Sequence, residues 1–318
     1  MLLEVDRLTT QFFTKGIALT AVDSVSYQID RGETLGIVGE SGCGKSVASL
    51  SLMGIVAPPG QVTAGRVILD GTELTKLSDV EMETWRGRRL AIVFQEPMTA
   101  FNPVLTIGFQ IAEQIRAHEP ITAKEGRHRA IDMLRLVGIP APERCTNNYA
   151  HELSGGMRQR AMIAMALSCR PDLLIADEPT TALDVTIQAQ ILDLLQSLQE
   201  RLGMAIQFIT HDLGVMSEMA DRILVMYTGR IVEEATSVDL FAHPRHPYTV
   251  GLMQSIPRLN AAHSRLFTIT GVVPPLSALP SGCHFQDRCS RVRDECRQSV
   301  PELKTIATGH RVACFNPQ

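Results

Sequence analysis

The segment 39–46 constrains the fold of this chain more than any other, because it matches the pattern G-x-x-x-x-G-K-S/T. The apolar run 34–38 precedes it and the helix-forming run 46–53 follows it, as the pattern requires. Its glycines let backbone N–H groups curl around an anion, and the helix N-terminus adds positive potential. The flanking strand and helix disfavour a chance glycine-rich turn. The segment therefore predicts a strand, loop and helix of an α/β fold that binds a nucleoside triphosphate.

All eight residues of this phosphate loop are expected to contact the nucleotide. We expect the Lys45 ammonium to reach the β- and γ-phosphates, and the Ser46 hydroxyl to coordinate Mg²⁺. The loop alone predicts only triphosphate binding. Its residues are Gly39, Glu40, Ser41, Gly42, Cys43, Gly44, Lys45 and Ser46.

Two adjacent carboxylates end the apolar run 173–176. A buried strand that stops on a carboxylate delivers it to the sheet edge where ligands bind. We expect Asp177 to hold Mg²⁺, directly or through water, and Glu178 to polarise the attacking water as a general base. An ordinary strand-to-loop junction is the alternative, and the phosphate loop upstream disfavours it. The pair therefore predicts triphosphate hydrolysis.

A second anion site is indicated by the run 153–159, which reads LSGGMRQ. Ser154 is typical of a helix N-cap, and Gly155 and Gly156 leave N–H groups bare at the helix start. The alternative is a simple capped helix. The pattern therefore predicts that one chain carries two separate half-sites for phosphate, one at the phosphate loop and one at this helix start.

Composition and charge exclude several classes of protein. The 318 residues carry a formal net charge of −4, so no basic field favours nucleic acid as a partner. No apolar run reaches the roughly 18 residues that cross a bilayer, and Glu4, Asp6 and Arg7 occupy the place of a signal-peptide core. We expect a cytoplasmic chain that contacts a membrane only through a partner.

The order of apolar runs predicts a mainly parallel sheet in which strands and helices alternate. The run 62–75 has the pattern of a hairpin that turns at Asp70-Gly71. Residues from about 96 to 160 have helical character and form an insertion. The chain becomes rich in Pro, Cys and Arg past Pro257, which predicts a domain 1–256 and a C-terminal region 257–318.

Several motifs carry a resemblance to the ABC ATPases. LSGGMRQR, between the phosphate loop and the acidic strand end, resembles the family signature; Gln95 in IVFQEP resembles its Q-loop glutamine. Asp184 in TALD and His211 in FITHD resemble its D-loop and switch histidine. The resemblance implies a P-loop ABC ATPase fold: a RecA-like core, an antiparallel β subdomain and a helical subdomain that carries the signature.

The resemblance also implies roles for these residues. Gln95 would sense Mg²⁺ and the attacking water and link to a membrane partner, and His211 would contact the γ-phosphate. Phe12 would stack on adenine, although the adjacent Phe13 is an alternative that the pattern leaves open. Ser154, Gly155, Gly156 and Asp184 would close over ATP bound to a second subunit, which gives a dimer with two composite sites.

The C-terminal region narrows the branch of the family. RHPYT at 245–249 and GVVPP at 271–275 resemble ATPases that serve the import of peptides and nickel, most of all the first ATPase subunit of dipeptide importers. This implies a heterodimer with a second ATPase, two membrane permeases and an extracytoplasmic peptide-binding protein, at the cytoplasmic face of the bacterial inner membrane. Nickel, glutathione and antimicrobial peptides are alternative cargoes. A soluble ABC ATPase acting on nucleic acid or ribosomes is a remote alternative, because the chain has no second cassette, coiled coil or basic arm.

Four of the seven cysteines fall in the last 36 residues, at Cys283, Cys289, Cys296 and Cys314. Four thiolates suit either tetrahedral Zn²⁺ or an iron–sulfur cluster. Four unligated thiols are the least favoured alternative, because a short tail with few hydrophobic residues needs a metal or another cross-link to stabilise its fold. The spacing differs from the tight C-x-x-C pairs of zinc ribbons. The resemblance to dipeptide-importer ATPases implies a 4Fe–4S cluster, with Zn²⁺ as the alternative.

Overall fold

The computed structural model describes residues 1–181, 183–256 and 267–318. The strands are β1 (Leu3–Thr14), β2 (Ile17–Ile29), β3 (Thr34–Val38), β4 (Gly60–Leu69), β5 (Thr72–Glu73), β6 (Leu90–Val93), β7 (Leu173–Asp177), β8 (Ala205–Ile209), β9 (Arg222–Tyr227), β10 (Arg230–Thr236), β11 (Lys304–Ala307) and β12 (His310–Val312). None of the described helices is long and apolar enough to cross a membrane.

The helices alternate with the strands over most of the chain. They are α1 (Lys45–Met53), α2 (Asp79–Trp85), α3 (Pro97–Ala100), α4 (Ile107–His118), α5 (Ala123–Leu136), α6 (Pro142–Cys145), α7 (Gly155–Ala166), α8 (Val185–Leu202), α9 (Leu213–Met219), α10 (Ser237–Ala242), α11 (Pro247–Gln254) and α12 (Asp294–Gln298).

The chain divides into two units that are not continuous in sequence. The phosphate-loop unit comprises Leu3–Ile29, Thr34–Thr75 and Ile209–Gln318. The acidic-strand unit comprises Met1–Leu2, Asp30–Glu33 and Lys76–Phe208. The predicted boundary at residue 257 lies outside the described residues, and the units cut the chain at other places than the predicted domains 1–256 and 257–318.

The phosphate-loop unit contains the predicted antiparallel subdomain, a four-stranded sheet in the order β2-β1-β4-β5. The predicted hairpin is present as β4 and β5, with Asp70 and Gly71 in the turn at φ 48° and 80°. In the same unit β3 pairs in parallel with β9, and β9 continues through β10 and β12 to β11 in antiparallel pairs. The glycine-rich loop follows β3 directly, at its carboxyl end.

The acidic-strand unit contains the other parallel pair, in which β6 runs beside β7 from Leu90 opposite Leu173 to Val93 opposite Ala176. Every residue of β7 is buried, which explains its continuous apolar sequence. Helices α3 to α7 occupy most of the stretch 97–166 and carry the LSGGMRQR segment at the start of α7. The mainly parallel α/β architecture predicted from the sequence is confirmed, and β10 to β12 extend it with antiparallel strands.

The end of the chain is part of the phosphate-loop unit. Glu233 of β10 lies opposite Val312 of β12, and the Ala313 N–H donates to the Val232 carbonyl at 2.8 Å. The Gln318 N–H reaches the Arg245 carbonyl at 2.9 Å. Because β12 covers an otherwise open side of β10, the C-terminal residues complete the sheet rather than forming a separate module.

A buried carboxylate fixes this arrangement. The Glu233 side chain is fully buried and accepts the N–H groups of Arg245 at 2.7 Å and His246 at 2.8 Å. The imidazole Nε2 of His310 lies 2.8 Å from the same carboxylate. One side chain thus joins β10, the segment that enters α11, and β12. A buried acid is tolerated here because its oxygens are satisfied by several partners.

We expect Glu233→Gln to lower the free energy of unfolding by about 2–4 kcal/mol, because the amide NH₂ would face donors in place of an acceptor. Urea denaturation of the full chain measures this. Glu302 is exposed, and Glu302→Gln should change stability by less than about 0.5 kcal/mol. Equal stability of the two variants would contradict the anchoring role of Glu233.

Candidate nucleotide site

The phosphate loop is shaped by glycines that approach neighbouring backbone closely. Gly44 caps α1 at φ 100°, and a Cβ atom there would lie 2.4 Å from the Ala21 carbonyl oxygen. A Cβ at Gly39 would lie 2.2 Å from the Met226 carbonyl oxygen. Gly42 also has a positive φ of 79°, but open space surrounds it. Only glycine fits at residues 39 and 44 without a shift of the backbone.

The Lys45 side chain is held at the start of the loop. Its ammonium donates to the Gly39 carbonyl at 2.8 Å and to the Glu40 carbonyl at 3.1 Å, and the residue is only 5% exposed. The neighbouring Cys43 is buried, and burial raises the pKa of its thiol. Ser41, Gly42 and Ser46 are exposed on the loop. The loop thus offers a fixed cation beside the N-terminus of α1, which suits an anion.

Glu40 differs from the other loop residues, because its polar groups are already engaged. Its N–H donates to the Tyr248 hydroxyl at 2.8 Å, and its carboxylate receives the Arg288 guanidinium through contacts of 2.6 and 2.9 Å. The predicted contact of Glu40 with the nucleotide is therefore not supported by where its N–H and carboxylate point. Tyr248 and Arg288 were not predicted as partners of the loop, although Tyr248 belongs to the RHPYT string that resembles peptide-import ATPases.

Two further predicted residues lie in the phosphate-loop unit. His211 is exposed at the carboxyl end of β8, directly before α9. The Phe12 ring is half-buried against Gly60, where a Cβ would lie 2.7 Å from it, whereas Phe13 is 42% exposed. The choice between Phe12 and Phe13 for adenine stays a prediction.

At the acidic strand end, hydrogen bonds hold the carboxylate of Glu178 in a fixed orientation. Asp177 is 7% exposed at the end of β7, and Glu178 follows it at φ 48°, a left-handed conformation rare for this residue type. The Glu178 carboxylate accepts the Gln95 amide and the Thr181 hydroxyl, each at 2.9 Å. The structure therefore brings two of the predicted catalytic residues, Gln95 and Glu178, into direct contact. Thr181 was missed, although it lies three residues from Glu178 and a local side-chain bond is common at that spacing.

The signature residues lie at a helix start, as predicted. Ser154 caps α7 and accepts the Met157 N–H at 3.4 Å. A Cβ at Gly156 would lie 2.8 Å from Ile187 of α8, so this glycine lets the two helices approach. Asp184 caps α8 and accepts the Ile187 N–H at 3.0 Å. Ser154, Gly155 and Asp184 are exposed, which leaves them accessible to a partner molecule.

The predicted site residues are divided between the two units. Phe12, Lys45, Ser46 and His211 belong to the phosphate-loop unit. The acidic-strand unit holds the set Gln95, Ser154, Gly155, Gly156, Asp177, Glu178 and Asp184.

The four C-terminal cysteines are free and do not form a metal site as placed. Among residues 1–181, 183–256 and 267–318, no group of three or more His, Cys, Asp or Glu side chains is arranged to hold a metal ion. The predicted 4Fe–4S or zinc site is therefore not confirmed. Burial, reinforced by the neighbouring thiols of Cys296, Cys314 and Cys289, raises the pKa of Cys283 to about 11.

Comparison with known proteins identifies the family. The model of the ABC transporter family matches residues 22–181, which is half of the chain. The chain belongs to the ABC transporter family, in its ATP-binding and ATP-hydrolysing subunits. A second family model, the C-terminal region of oligopeptide and dipeptide transporters, matches residues 232–296. The phosphate loop, Gln95, the LSGGMRQR segment and the acidic strand end lie within the first match, and RHPYT and GVVPP lie within the second. Asp184 and His211 lie between the two matches.

Relatives of similar length support the assignment. A probable peptide ABC transporter ATP-binding protein of Sinorhizobium fredii is 52% identical over 317 residues, covering 99% of this chain and 95% of the relative. The oligopeptide transport ATP-binding protein AppD of Bacillus subtilis is 50% identical over 315 residues, with 99% and 96% covered. The dipeptide transport ATP-binding protein DppD of Escherichia coli is 47% identical over 316 residues, with 99% and 97% covered.

A solved structure is similar over the ATPase part. An ATP-binding cassette determined as a dimer in a post-hydrolysis state with ADP and Pi has a TM-score of 0.67 and 28% identity. The similarity covers 74% of this chain and 99% of that one. The P-loop ABC ATPase fold predicted from the sequence is thereby confirmed.

Two alanine substitutions in the loop should differ sharply in stability. Gly42→Ala should cost about 1–2 kcal/mol, because only the left-handed backbone penalises the new side chain. Gly44→Ala should cost about 3–5 kcal/mol, because its Cβ must also displace the Ala21 carbonyl. Urea denaturation without nucleotide compares them, and equal losses would show that the close approach of Gly44 is unimportant.

Proposed function

We propose that this chain binds and hydrolyses ATP to energise the import of dipeptides or oligopeptides by an ABC transporter. The observation that carries the proposal is the peptide-transporter C-terminal region at residues 232–296 following the ABC match at 22–181. The names of the full-length relatives, which are peptide, dipeptide and oligopeptide transport proteins, support the same cargo class. Nickel, glutathione and antimicrobial peptides are the other cargoes that the same machinery would serve.

ATP binding falls to the phosphate loop. The backbone N–H groups of residues 41–46 and the Lys45 ammonium would receive the phosphates, and Phe12 would stack on adenine. Ser46, Asp177 and Gln95 would hold Mg²⁺, since a hydroxyl, a carboxylate and an amide oxygen are ligands that suit this cation. When bound, Mg²⁺ supplies charge neutralisation on the phosphate oxygens. The fixed Lys45 ammonium and the exposure of Ser41, Gly42 and Ser46 support this assignment.

Hydrolysis falls to Glu178. Its carboxylate would take the proton of the attacking water, and His211 would orient that water at the γ-phosphate. In the described state this carboxylate is occupied by Gln95 and Thr181. Both hydrogen bonds reach the same oxygen, Oε2, and so orient the carboxylate.

A second ATPase subunit would complete the site. The exposed Ser154 and Gly155, with Gly156 beside them, would face ATP bound to a homologous partner, and Asp184 would contact that partner across the interface. The helix N-terminus of α7 offers bare N–H groups and positive potential to the phosphates. The dimeric state of the solved relative supports this arrangement. The rest of the assembly would be two permeases and an extracytoplasmic peptide-binding protein, with this chain at the cytoplasmic face of the inner membrane.

Replacing the base tests the catalytic assignment. In the transporter reconstituted with its partners, Glu178→Gln should lower ATP turnover at least about a hundredfold, because general-base catalysis is lost. ATP binding should persist, since Gln keeps the shape of the side chain. Glu200 is exposed on α8, and Glu200→Gln should leave turnover unchanged. Undiminished turnover by Glu178→Gln would disprove the role of Glu178.

We also propose that the four C-terminal cysteines bind a 4Fe–4S cluster, with Zn²⁺ as the alternative. They are Cys283, Cys289, Cys296 and Cys314. The donor chemistry fits, because four thiols in one region interact electrostatically with each other. Cys289, Cys296 and Cys314 also each accept a backbone N–H, at 3.4, 3.5 and 3.3 Å. Such bonds favour the thiolate that a metal requires. The described cysteines are not grouped closely enough as placed to hold a metal ion, so their sulfurs would have to move together around the cluster.

Metal analysis tests this finer proposal. We expect anaerobically purified full-length chain to contain about four iron atoms and to absorb visible light, as a 4Fe–4S cluster requires. Cys283→Ala with Cys314→Ala should abolish both. Cys145 lies outside the region, so Cys145→Ala is the control and should retain them. Colourless protein that contains zinc would reject the 4Fe–4S cluster and support the zinc site. Protein that contains neither metal would reject both.

A further inference from the structure

Two residues from the C-terminal part of the chain form hydrogen bonds with Glu40 of the phosphate loop, and one of them also forms an ion pair with it. Arg288 contacts its carboxylate and Tyr248 contacts its backbone N–H, across sequence separations of 248 and 208 residues. All three residues belong to the phosphate-loop unit. Glycine conformations shape the loop locally, and these two contacts hold it from the C-terminal part of the chain. Their position points to a function in nucleotide binding.

Arg288 is fixed in place from several directions. Its guanidinium makes a two-pronged pair with Glu40, and its side chain is only 5% exposed. Its Nε donates to the Thr270 carbonyl at 3.1 Å. The guanidinium also lies 5.8 Å from the ring centres of Tyr227 and Phe285. Such a planar, doubly bonded pair sets orientation as well as distance, which a single contact does not.

Tyr248 is equally rigid. It is fully buried, and its ring packs 4.7 Å from Tyr227 and 5.4 Å from Phe285 between centres. Its backbone N–H donates to Nδ1 of His246 at 3.0 Å. The hydroxyl therefore presents its oxygen to the Glu40 N–H from an aromatic cluster that cannot easily move.

Fixing Glu40 fixes the direction of the loop lysine. The Glu40 carbonyl accepts a hydrogen bond from the Lys45 ammonium at 3.1 Å, beside the Gly39 carbonyl at 2.8 Å. The Glu40 N–H and the Gly39 carbonyl belong to one planar peptide unit, so the hydrogen bond from this N–H to Tyr248 also holds the carbonyl that accepts from Lys45 at 2.8 Å. The Arg288 pair holds the same residue through its side chain. The C-terminal contacts therefore determine where the Lys45 acceptors lie.

We propose that Arg288 and Tyr248 are positioning residues for ATP binding, acting through Glu40 to orient the Lys45 ammonium towards the phosphates. Neither residue touches the nucleotide. The RHPYT string thereby acquires a role, since its tyrosine holds the phosphate loop. The inference rests on the proposed binding of ATP at this loop.

Removing the guanidinium should weaken nucleotide binding without stopping the chemistry. In Arg288→Met the loop spends only a fraction of its time in the competent shape, and the apparent affinity falls by that fraction. We expect about tenfold weaker binding of Mg²⁺–ADP to the full chain by titration calorimetry, and about threefold weaker binding in Tyr248→Phe. In the reconstituted transporter, KM for ATP should rise about tenfold in Arg288→Met while kcat at saturating ATP stays within about twofold.

A double-mutant cycle shows whether the arginine acts through Glu40. Glu40→Gln should weaken binding by itself, and adding Arg288→Met to it should cause little further loss, because the two residues share one interaction. Arg297 is an exposed arginine of the same region, and Arg297→Met should bind Mg²⁺–ADP like the unmodified chain. Thermal unfolding of every variant is recorded beside affinity.

Several outcomes would overturn the inference. These are unchanged affinity in Arg288→Met and Tyr248→Phe, additive losses in the cycle, or a fall in kcat with KM unchanged. If Arg288→Met does not fold, the affinity of Tyr248→Phe for Mg²⁺–ADP tests the inference instead, because this variant loses only the hydroxyl that accepts the Glu40 N–H. Lys45→Ala separates this inference from the proposed ATP site. Normal Mg²⁺–ADP binding in Lys45→Ala would reject the site itself, whereas lost binding there with normal Arg288→Met would reject only the inference.

Discussion

The phosphate loop keeps its shape because glycines bring its backbone against the backbone of neighbouring strands. Gly39 lies under the Met226 carbonyl, while Gly44 and Gly229 both lie against the Ala21 carbonyl. The Gly229 N–H also donates to the Cys43 carbonyl at 2.8 Å. No side chain fits between these segments, so the loop cannot relax without moving β2 or the turn after β9. This contact preorganises the N–H groups that an anion would meet.

Two carboxylates extend this constraint into the C-terminal part of the chain. Glu233 joins β10, the approach to α11 and β12, and so positions the aromatic cluster around Tyr248. Glu40 then links that cluster and Arg288 to the phosphate loop. Each carboxylate is satisfied by several donors, which offsets the cost of placing charge in a poorly hydrated region. The region that marks the peptide-transporter branch is thus built into the nucleotide-binding unit.

The parts of the site that sequence patterns predicted are those determined by neighbours in the chain. The phosphate loop, the end of β7, and the caps Ser154 and Asp184 follow from local spacing. Helix α8 buries Ile191, Leu195 and Leu198, members of the apolar face that its periodicity indicated. Patterns of this kind contain no information about distant partners. Arg288 and Tyr248 meet Glu40 across more than 200 residues, and no local rule selects one arginine among many.

The C-terminal region shows the same limit. Its composition predicted a region 257–318 distinct from the ATPase domain, and no local pattern predicted that β12 would pair with β10 in the phosphate-loop unit. The pairing depends on the register between strands that lie far apart in sequence, which hydrophobic alternation over three or four residues does not determine. Thr181 was missed for another reason: Thr180 and Thr181 both follow Glu178 closely in sequence, and the backbone turn decides which hydroxyl reaches the carboxylate.

The link between Glu40 and Arg288 has a consequence for biosynthesis. Residue 40 leaves the ribosome 248 residues before its partner, a delay of roughly 12–50 s at a translation rate of about 5–20 residues per second. Until that interval ends, the loop has its glycines but lacks at least Arg288, and for the first 208 residues it lacks Tyr248 as well. Under the proposed role of these two residues, tight nucleotide binding becomes a property of the finished chain, and prematurely terminated chains compete poorly for ATP.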